Sequence, residues 1–113
     1  MIHVWTITVC PPDKRKFLSL RDARSFLKNV WRIKKPRDPM PKILDGRYPR
    51  TDSQTIELPY WARTAPIILH EIAHILCQDD HGPKFMETVI NLYSEFLNIP
   101  KNYLEEEARN LGL

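Results

Sequence analysis

The segment from Ala65 to Gln78, APIILHEIAHILCQ, constrains the fold more than any other part of the chain. At 100° per residue, most of its apolar side chains share one helical face, which only a hydrophobic core can cover. His70 and His74 lie four residues apart, so both imidazoles occupy the other face, with the Glu71 carboxylate beside them. The pattern predicts a helix that is buried on one side and carries two histidines and a glutamate on the other.

The remaining sequence predicts a small α+β domain around this helix. IHVWTITV at 2–9 alternates and is rich in β-branched residues, which favours a strand, and TIEL at 55–58 favours another. Apolar residues at three- and four-residue steps predict an amphipathic helix over 18–33. A third helix is expected from Pro83, followed by a short final helix. We expect one domain over 1–113, in which a small mixed sheet packs on the amphipathic helix and the histidine helix.

Charge is distributed unevenly along the chain. Residues 1–50 contain thirteen Lys or Arg and four Asp or Glu. Residues 51–113 contain four Lys or Arg and ten Asp or Glu. A basic half is compatible with binding nucleic acid. We prefer a solvated helix face as the explanation, because no groove motif interleaved with aromatic residues accompanies the charge.

The sequence also bears on compartment and on cysteine chemistry. No apolar run approaches the roughly eighteen residues that span a bilayer, so no membrane partner is expected. The first apolar stretch precedes the basic cluster, the reverse of a secretory signal, which indicates a cytoplasmic, intracellular protein. Two cysteines, Cys10 and Cys77, are too few for a disulfide framework and are expected to be free thiols in apolar surroundings.

The residues His70, Glu71 and His74 form the HExxH pattern of zinc hydrolases. In such sites two imidazoles hold Zn²⁺ at about 2.0–2.1 Å, a third protein ligand follows, and one position stays open for water. Zinc lowers the pKa of that water to about 7, and Glu71 would take its proton as the general base. We therefore predict one zinc ion per chain and a catalytic role for Glu71.

His81 is the predicted third ligand, because Gly82 and Pro83 allow the chain to reverse and fold it back towards the helix. The alternatives are carboxylates of the following helix, Glu87 and Glu95. Two aspartates nearer in sequence fit better as acceptors for the ligand N–H groups or as helix caps: Asp79 and Asp80.

The stretch HEIAHILCQDDHGPKF resembles the HExxH…HGxxF signature of the SprT-like metallopeptidases, the group that includes Spartan and the WLM-type proteases. His81, Gly82 and Phe85 match the HGxxF element, and GRYPRTDSQTIELP resembles the strand before the family's active-site helix. The resemblance implies a zincin-like fold, one zinc, His81 as third ligand, and hydrolysis of peptide bonds in a protein or peptide substrate. Several members cut proteins crosslinked to DNA. The metzincin pattern does not fit, since Cys77 and Asp80 replace its glycine and last histidine.

A zincin-like fold also implies where a substrate would lie. An extended peptide would pair along the strand before the metal helix, by strand addition. The residues of that strand are Thr55, Ile56, Glu57 and Leu58. Tyr93 is a candidate donor for the transition-state oxyanion, with Tyr60 and Arg63 as alternatives. Trp31 and Trp61 are expected in the core or in the cleft wall.

Two other functions stay open. If Cys77 joined the three histidines, the closed four-ligand site would be a structural zinc in a non-enzymatic module. That arrangement gives Glu71 no role, and His70 and Cys77 are about 10.5 Å apart along a helix axis. The other alternative keeps the open zinc but hydrolyses an amide that is not in a protein.

Overall fold

A computed structural model describes residues 2–77 and 81–113 of the chain, which form five α-helices and three short β-strands. The helices are α1 (Ile2–Val9), α2 (Leu20–Lys34), α3 (Ala65–Leu76), α4 (Pro83–Leu97) and α5 (Lys101–Asn110). The strands are β1 (Lys42–Leu44), β2 (Arg50–Thr51) and β3 (Thr55–Glu57). The predicted α+β class is confirmed. Within the described ranges, none of the helices has the length and apolar character that crossing a membrane requires.

The sheet is mixed, as predicted, and its strand order is β1-β3-β2. β3 runs parallel to β1, with Thr55 opposite Lys42, and antiparallel to β2, with Ile56 opposite Thr51. β1 packs against α2, and β2 packs against α3. β3 is therefore the central strand, and β2 is the edge strand on the side of α3.

The first segment forms the helix α1, so the prediction of a strand over 2–9 is wrong. Trp5 and Val9, one helical turn apart, are both buried. The Trp5 ring stacks on Tyr93 of α4 with centroids 5.2 Å apart, and its Nε1 donates to the Leu104 carbonyl of α5 at 3.1 Å. These tertiary contacts stabilise a helix in a segment whose β-branched residues locally favour a strand.

The other helices begin close to where the sequence places them. Ser19 caps α2, with its Oγ accepting from the Asp22 N–H at 3.0 Å. Thr64 is the N-cap residue of α3, as predicted, although its side chain accepts no cap hydrogen bond. The predicted α3 extends to Gln78, which lies outside the described residues, and the observed helix ends at Leu76. α4 begins at Pro83, as predicted.

One cluster of buried apolar side chains connects all five helices with the sheet. On α3, the predicted inner face is buried in its first part, at Ile68, Leu69, Ile72 and Ala73, and half-buried at Ile75 and Leu76. Burying an aliphatic side chain of this size contributes roughly 1.5–3 kcal/mol. Because this face is fixed in the core, the opposite face of α3 has a defined orientation towards solvent.

Candidate metal centre

Three histidines converge at the outer face of α3. The Nε2 atoms of His70 and His74 are 3.2 Å apart, as expected for residues one helical turn apart on the same face. The Nε2 atom of His81 lies 3.1 Å from that of His74. The three imidazoles thus point the same type of ring nitrogen at a common centre, and they are close enough to share one metal ion.

Two of the three separations between these nitrogens fit a small tetrahedral ion. Two ligand nitrogens at about 2.05 Å from zinc, with a tetrahedral angle between them, are separated by about 3.3 Å. The observed separations of 3.2 and 3.1 Å are close to that value. Three imidazoles are also a common donor set for zinc, and all three ligand atoms lie within 4.8 Å of one another, so these residues can hold such an ion.

The third histidine reaches the centre through an unusual backbone conformation. His81 has φ = 57°, in the left-handed region, whereas Gly82 has an ordinary φ of −82°. The sequence suggests that the glycine allows the chain to reverse, but the left-handed residue is the histidine itself. Such a conformation is uncommon outside glycine, with histidine among the enriched exceptions, and it is often found at functional sites.

Phe85 forms the floor of the site. Its side chain is fully buried, and its ring centroid lies 5.1 Å from that of His70, 4.5 Å from that of His74 and 4.8 Å from that of His81. A rigid aromatic ring in contact with all three imidazoles restricts their rotamers. This contact gives the last residue of the HGxxF element a physical role, which is to hold the three rings in place.

Burial lowers the pKa of His70 to about 3, and the neighbouring imidazoles of His74, His81 and His3 act in the same direction. Desolvation disfavours the charged form of an imidazole, and nearby positive charge does so too. His70 is therefore neutral at physiological pH. The neutral imidazole is the form that binds a metal.

Glu71 is the buried carboxylate of the site. It is 8 % exposed, and its Oε2 accepts a hydrogen bond of 2.5 Å from the Thr51 hydroxyl of β2. It lines the same cleft as the three histidines. The predicted general base is thus placed beside the metal ligands, and a strand outside the HExxH helix fixes its position.

The cleft has a volume of about 700 Å³ and is open to solvent beside the histidines. Its walls include His3 and Thr6 of α1, Arg50 of β2, and Trp61 of the segment before α3. His3 was not expected here, because the sequence places it in a strand and no spacing links it to the HExxH helix. Trp61 is 56 % exposed and forms part of the cleft wall, whereas Trp31 is buried in the core. Both locations agree with the expectation that these tryptophans lie in the core or in the cleft wall.

The predicted substrate strand does not border the cleft. β3 is paired on both sides, so its backbone cannot accept a further strand. Ile56 and Leu58 are fully buried, and the Thr55 hydroxyl donates to Asp52 at 3.1 Å. β3 therefore offers no free edge for strand addition at Thr55, Ile56, Glu57 and Leu58, and the edge strand beside the metal centre is β2.

Tyr93 lines the cleft, but its hydroxyl is already engaged. It is fully buried, donates to the Pro66 carbonyl at 3.2 Å and lies 3.2 Å from the Thr6 hydroxyl. Burial raises the pKa of Tyr93 above its ordinary value. In this geometry it joins α1, α3 and α4, and its proton is not available to an oxyanion.

The alternative oxyanion donors lie elsewhere. Arg63 is buried, with Nη2 donating to Asp45 at 2.6 Å and Nε donating to the Leu58 carbonyl at 3.0 Å. Tyr60 is exposed and stacks on Phe17 with centroids 5.4 Å apart. Neither residue is among those that line the cleft.

The alternative ligands are also not brought to the centre. Among the described residues, the group able to share an ion consists of His70, His74 and His81, without Cys77, Glu87 or Glu95. Glu95 forms an ion pair with Lys34 at 2.5 Å. Cys77 is half-buried in the cleft wall. The other cysteine, Cys10, lies in the core, where burial raises the pKa of its thiol to about 12. Asp79 and Asp80, expected to cap the helix region or orient the ligands, lie outside the described residues.

Comparisons with models of known protein families, with curated proteins and with solved structures found no match for this chain. The resemblance to the SprT-like metallopeptidases therefore depends on the residues of the chain alone.

Proposed function

We propose that this chain is a zinc-dependent metallopeptidase with a zincin-like fold, similar to the SprT-like enzymes. The observation that carries the proposal is the convergence of three imidazoles and one buried carboxylate in a single open cleft. A structural metal site needs the imidazoles but gives the carboxylate no task, whereas hydrolysis needs both.

In this proposal His70, His74 and His81 hold the metal. Zinc, when bound, would act as a Lewis acid that makes water a nucleophile at neutral pH and polarises the scissile carbonyl. Glu71 takes the proton of the attacking water on a carboxylate oxygen and then gives it to the leaving amine. Thr51 holds the other oxygen during this transfer.

The cleft walls support a peptide as the substrate. β2 is an edge strand that borders the cleft, so its outer side offers backbone donors and acceptors to an extended chain. Pro49, Ile67 and Trp61 supply apolar surface close by, and Arg50 supplies a positive charge. We infer that the substrate lies beside Arg50 and Thr51 of β2 and crosses the metal centre from there.

We infer that His3 is the donor that assists the oxyanion. It lines the cleft with the three ligands but is not part of the group that can share the ion. A neutral imidazole keeps one N–H, and such a donor stabilises negative charge that develops in the transition state. The hydroxyl of Tyr93, by contrast, is committed to Pro66.

The test is zinc-dependent cleavage of an unfolded protein substrate, read by mass spectrometry. Glu71→Gln is expected to keep stoichiometric zinc and lose turnover, because it removes only the proton acceptor. His74→Ala is expected to lose the metal and the activity together. Glu106→Gln makes the same substitution at an exposed glutamate of α5 and serves as the matched control.

Zinc K-edge absorption separates an open site from a closed one. Three imidazoles and one light oxygen support the proposal, whereas a sulfur at about 2.3 Å would bring Cys77 into the metal shell and indicate a structural zinc. Turnover that persists in Glu71→Gln would remove the general-base role. Cleavage of small amides without any cleavage of proteins would move the substrate to another class.

A further inference from the structure

We propose that Thr51 is a positioning residue for Glu71, and this inference rests on the proposed hydrolytic function. Its hydroxyl lies 2.5 Å from Glu71 Oε2, and both side chains line the metal cleft. Thr51 is twenty positions away from Glu71 in sequence and belongs to a different element. It does not belong to the group that can hold the ion, so its effect on the reaction would pass through the carboxylate.

The direction of this hydrogen bond follows from the chemistry of the two groups. The hydroxyl carries the proton and the carboxylate oxygen accepts the hydrogen bond, so the hydroxyl hydrogen of Thr51 points at Oε2. A hydrogen bond to a charged acceptor is shorter and stronger than one between neutral groups. The bond uses one oxygen and leaves Oε1 to accept the proton of the attacking water.

A second set of contacts fixes Thr51 itself. The turn between β2 and β3 is closed by Asp52, whose Oδ1 accepts from the backbone N–H groups of Gln54 at 2.7 Å and Thr55 at 2.8 Å. The Asp52 N–H in turn donates to the Thr55 carbonyl at 3.0 Å. This turn sets the register that places Thr51 opposite Ile56 of the buried central strand.

The positioning role therefore depends on a chain of contacts from the turn to the base. The register of the hairpin determines where the Thr51 hydroxyl lies, and the hydroxyl determines which rotamer Glu71 adopts. A buried glutamate without this partner would have several side-chain rotamers open to it. Restricting it to one of them is how an outer residue contributes to catalysis without touching the substrate.

The first experiment measures the hydrogen bond without any metal or activity. Urea unfolding of the metal-free protein is compared for wild type, Thr51→Val, Glu71→Met and the double variant. We expect Thr51→Val to lower the unfolding midpoint in the wild-type background and to have little effect once Glu71 is replaced. Equal shifts in both backgrounds would show that the hydroxyl is not coupled to Glu71 and would overturn the inference.

The second experiment measures catalysis by the zinc-loaded protein. We expect Thr51→Val to lower kcat by about 10- to 100-fold, with zinc affinity unchanged and KM little altered, as for other outer partners of catalytic groups. Thr51→Ser keeps the hydroxyl and is expected to restore most of kcat. Thr88→Val is the matched control, since the Thr88 hydroxyl donates to the Lys84 carbonyl of the same helix and does not line the cleft.

The outcomes separate this inference from the proposed function. An active wild type with unchanged kcat in Thr51→Val would reject the role of Thr51 and leave the peptidase proposal intact. A fall in kcat that Thr51→Ser does not restore would indicate a structural role of the side chain. A wild type that takes up zinc but cleaves no substrate would reject the peptidase proposal, and the positioning role with it, even if the unfolding experiment shows the coupling.

Discussion

The cleft is lined by four histidines, and their positions divide them into two roles. Three of them have ring nitrogens within reach of one ion, while His3 faces the cleft from α1 outside that group. A histidine that is close to a metal site but is not a ligand retains an N–H group for hydrogen bonding. The cleft therefore combines three histidines able to share an ion with a fourth histidine outside that group.

Replacing His3 tests this division. We expect His3→Ala to leave zinc affinity unchanged and to lower kcat by about 100-fold or more, the usual cost of removing one oxyanion donor. His3→Gln, which keeps an N–H donor, is expected to retain part of the activity. The measurements are steady-state kinetics and zinc competition with a chromophoric chelator. A parallel loss of zinc affinity would instead make His3 a ligand, and an unchanged kcat would remove it from the reaction.

Sequence spacing predicts some residues of the site and is silent on others. His70, Glu71 and His74 are separated by one helical turn or less, so the helical period alone places them together. His81 is predicted from the reversal of the chain at Gly82 and Pro83, and the HGxxF resemblance implies the same residue. His3 and Thr51 could not be predicted, because tertiary packing brings them to the cleft, α1 against α4 and α5 and β2 against α3, and no local period connects them to the HExxH helix.

The β2–β3 hairpin is the element that links the sheet to the site. Asp52 closes the turn of this hairpin. The hydrogen bonds that its carboxylate accepts from the N–H groups of Gln54 and Thr55 contribute most to lowering its pKa below the ordinary value. A group whose pKa is lower in the folded state adds stability above its unfolded pKa of about 3.9. That stability is lost as the pH falls through the lower folded value.

The lowered pKa of Asp52 predicts that the stability of the hairpin depends on pH. Asp52→Ala is expected to lower the urea midpoint at pH 7, because the turn loses its acceptors. The difference from wild type should shrink when the pH is brought below about 4, where the wild-type carboxylate is protonated progressively. Asp13→Ala, at an exposed aspartate after Pro12, is the control. The same difference at both pH values would contradict an electrostatic contribution of Asp52.

The helices with a regular spacing of apolar residues can be predicted from the sequence, whereas α1 cannot. α2 and α4 carry apolar residues at three- and four-residue steps over fifteen residues each, which leaves one consistent interpretation. In the eight residues of α1, the buried pair Trp5 and Val9 fits either a helix or alternate positions of a strand. The choice is made by partners distant in sequence, Tyr93 and Leu104, which no local pattern contains.

For the molecule as a whole, the core and the metal centre are largely separate. The buried apolar cluster extends from α1 to α5, and the histidines lie at its outer face, with Phe85 between them and the interior. A domain with a continuous core of this kind does not need an ion to remain folded, in contrast to a zinc finger.

Metal removal tests this separation. We expect chelation to leave the far-ultraviolet circular dichroism spectrum unchanged, since the helices are fixed by the core. Adding zinc back to a free concentration of about 100 times Kd should stabilise the protein by about 2.7 kcal/mol and raise the melting temperature by on the order of 10 °C. Loss of the helical signal on chelation would show that the fold depends on the ion.

The length of β2 has a consequence for selectivity. An edge of two residues gives an extended peptide about two main-chain hydrogen bonds, worth roughly 1–3 kcal/mol in total. A dissociation constant of 1 mM already requires about 4.1 kcal/mol, so the backbone of a substrate would contribute less than millimolar affinity. Free polypeptides would then seldom occupy the cleft at cellular concentrations. Under the proposed function, cleavage would be confined to chains tethered or crowded beside the enzyme, where the effective concentration replaces intrinsic affinity.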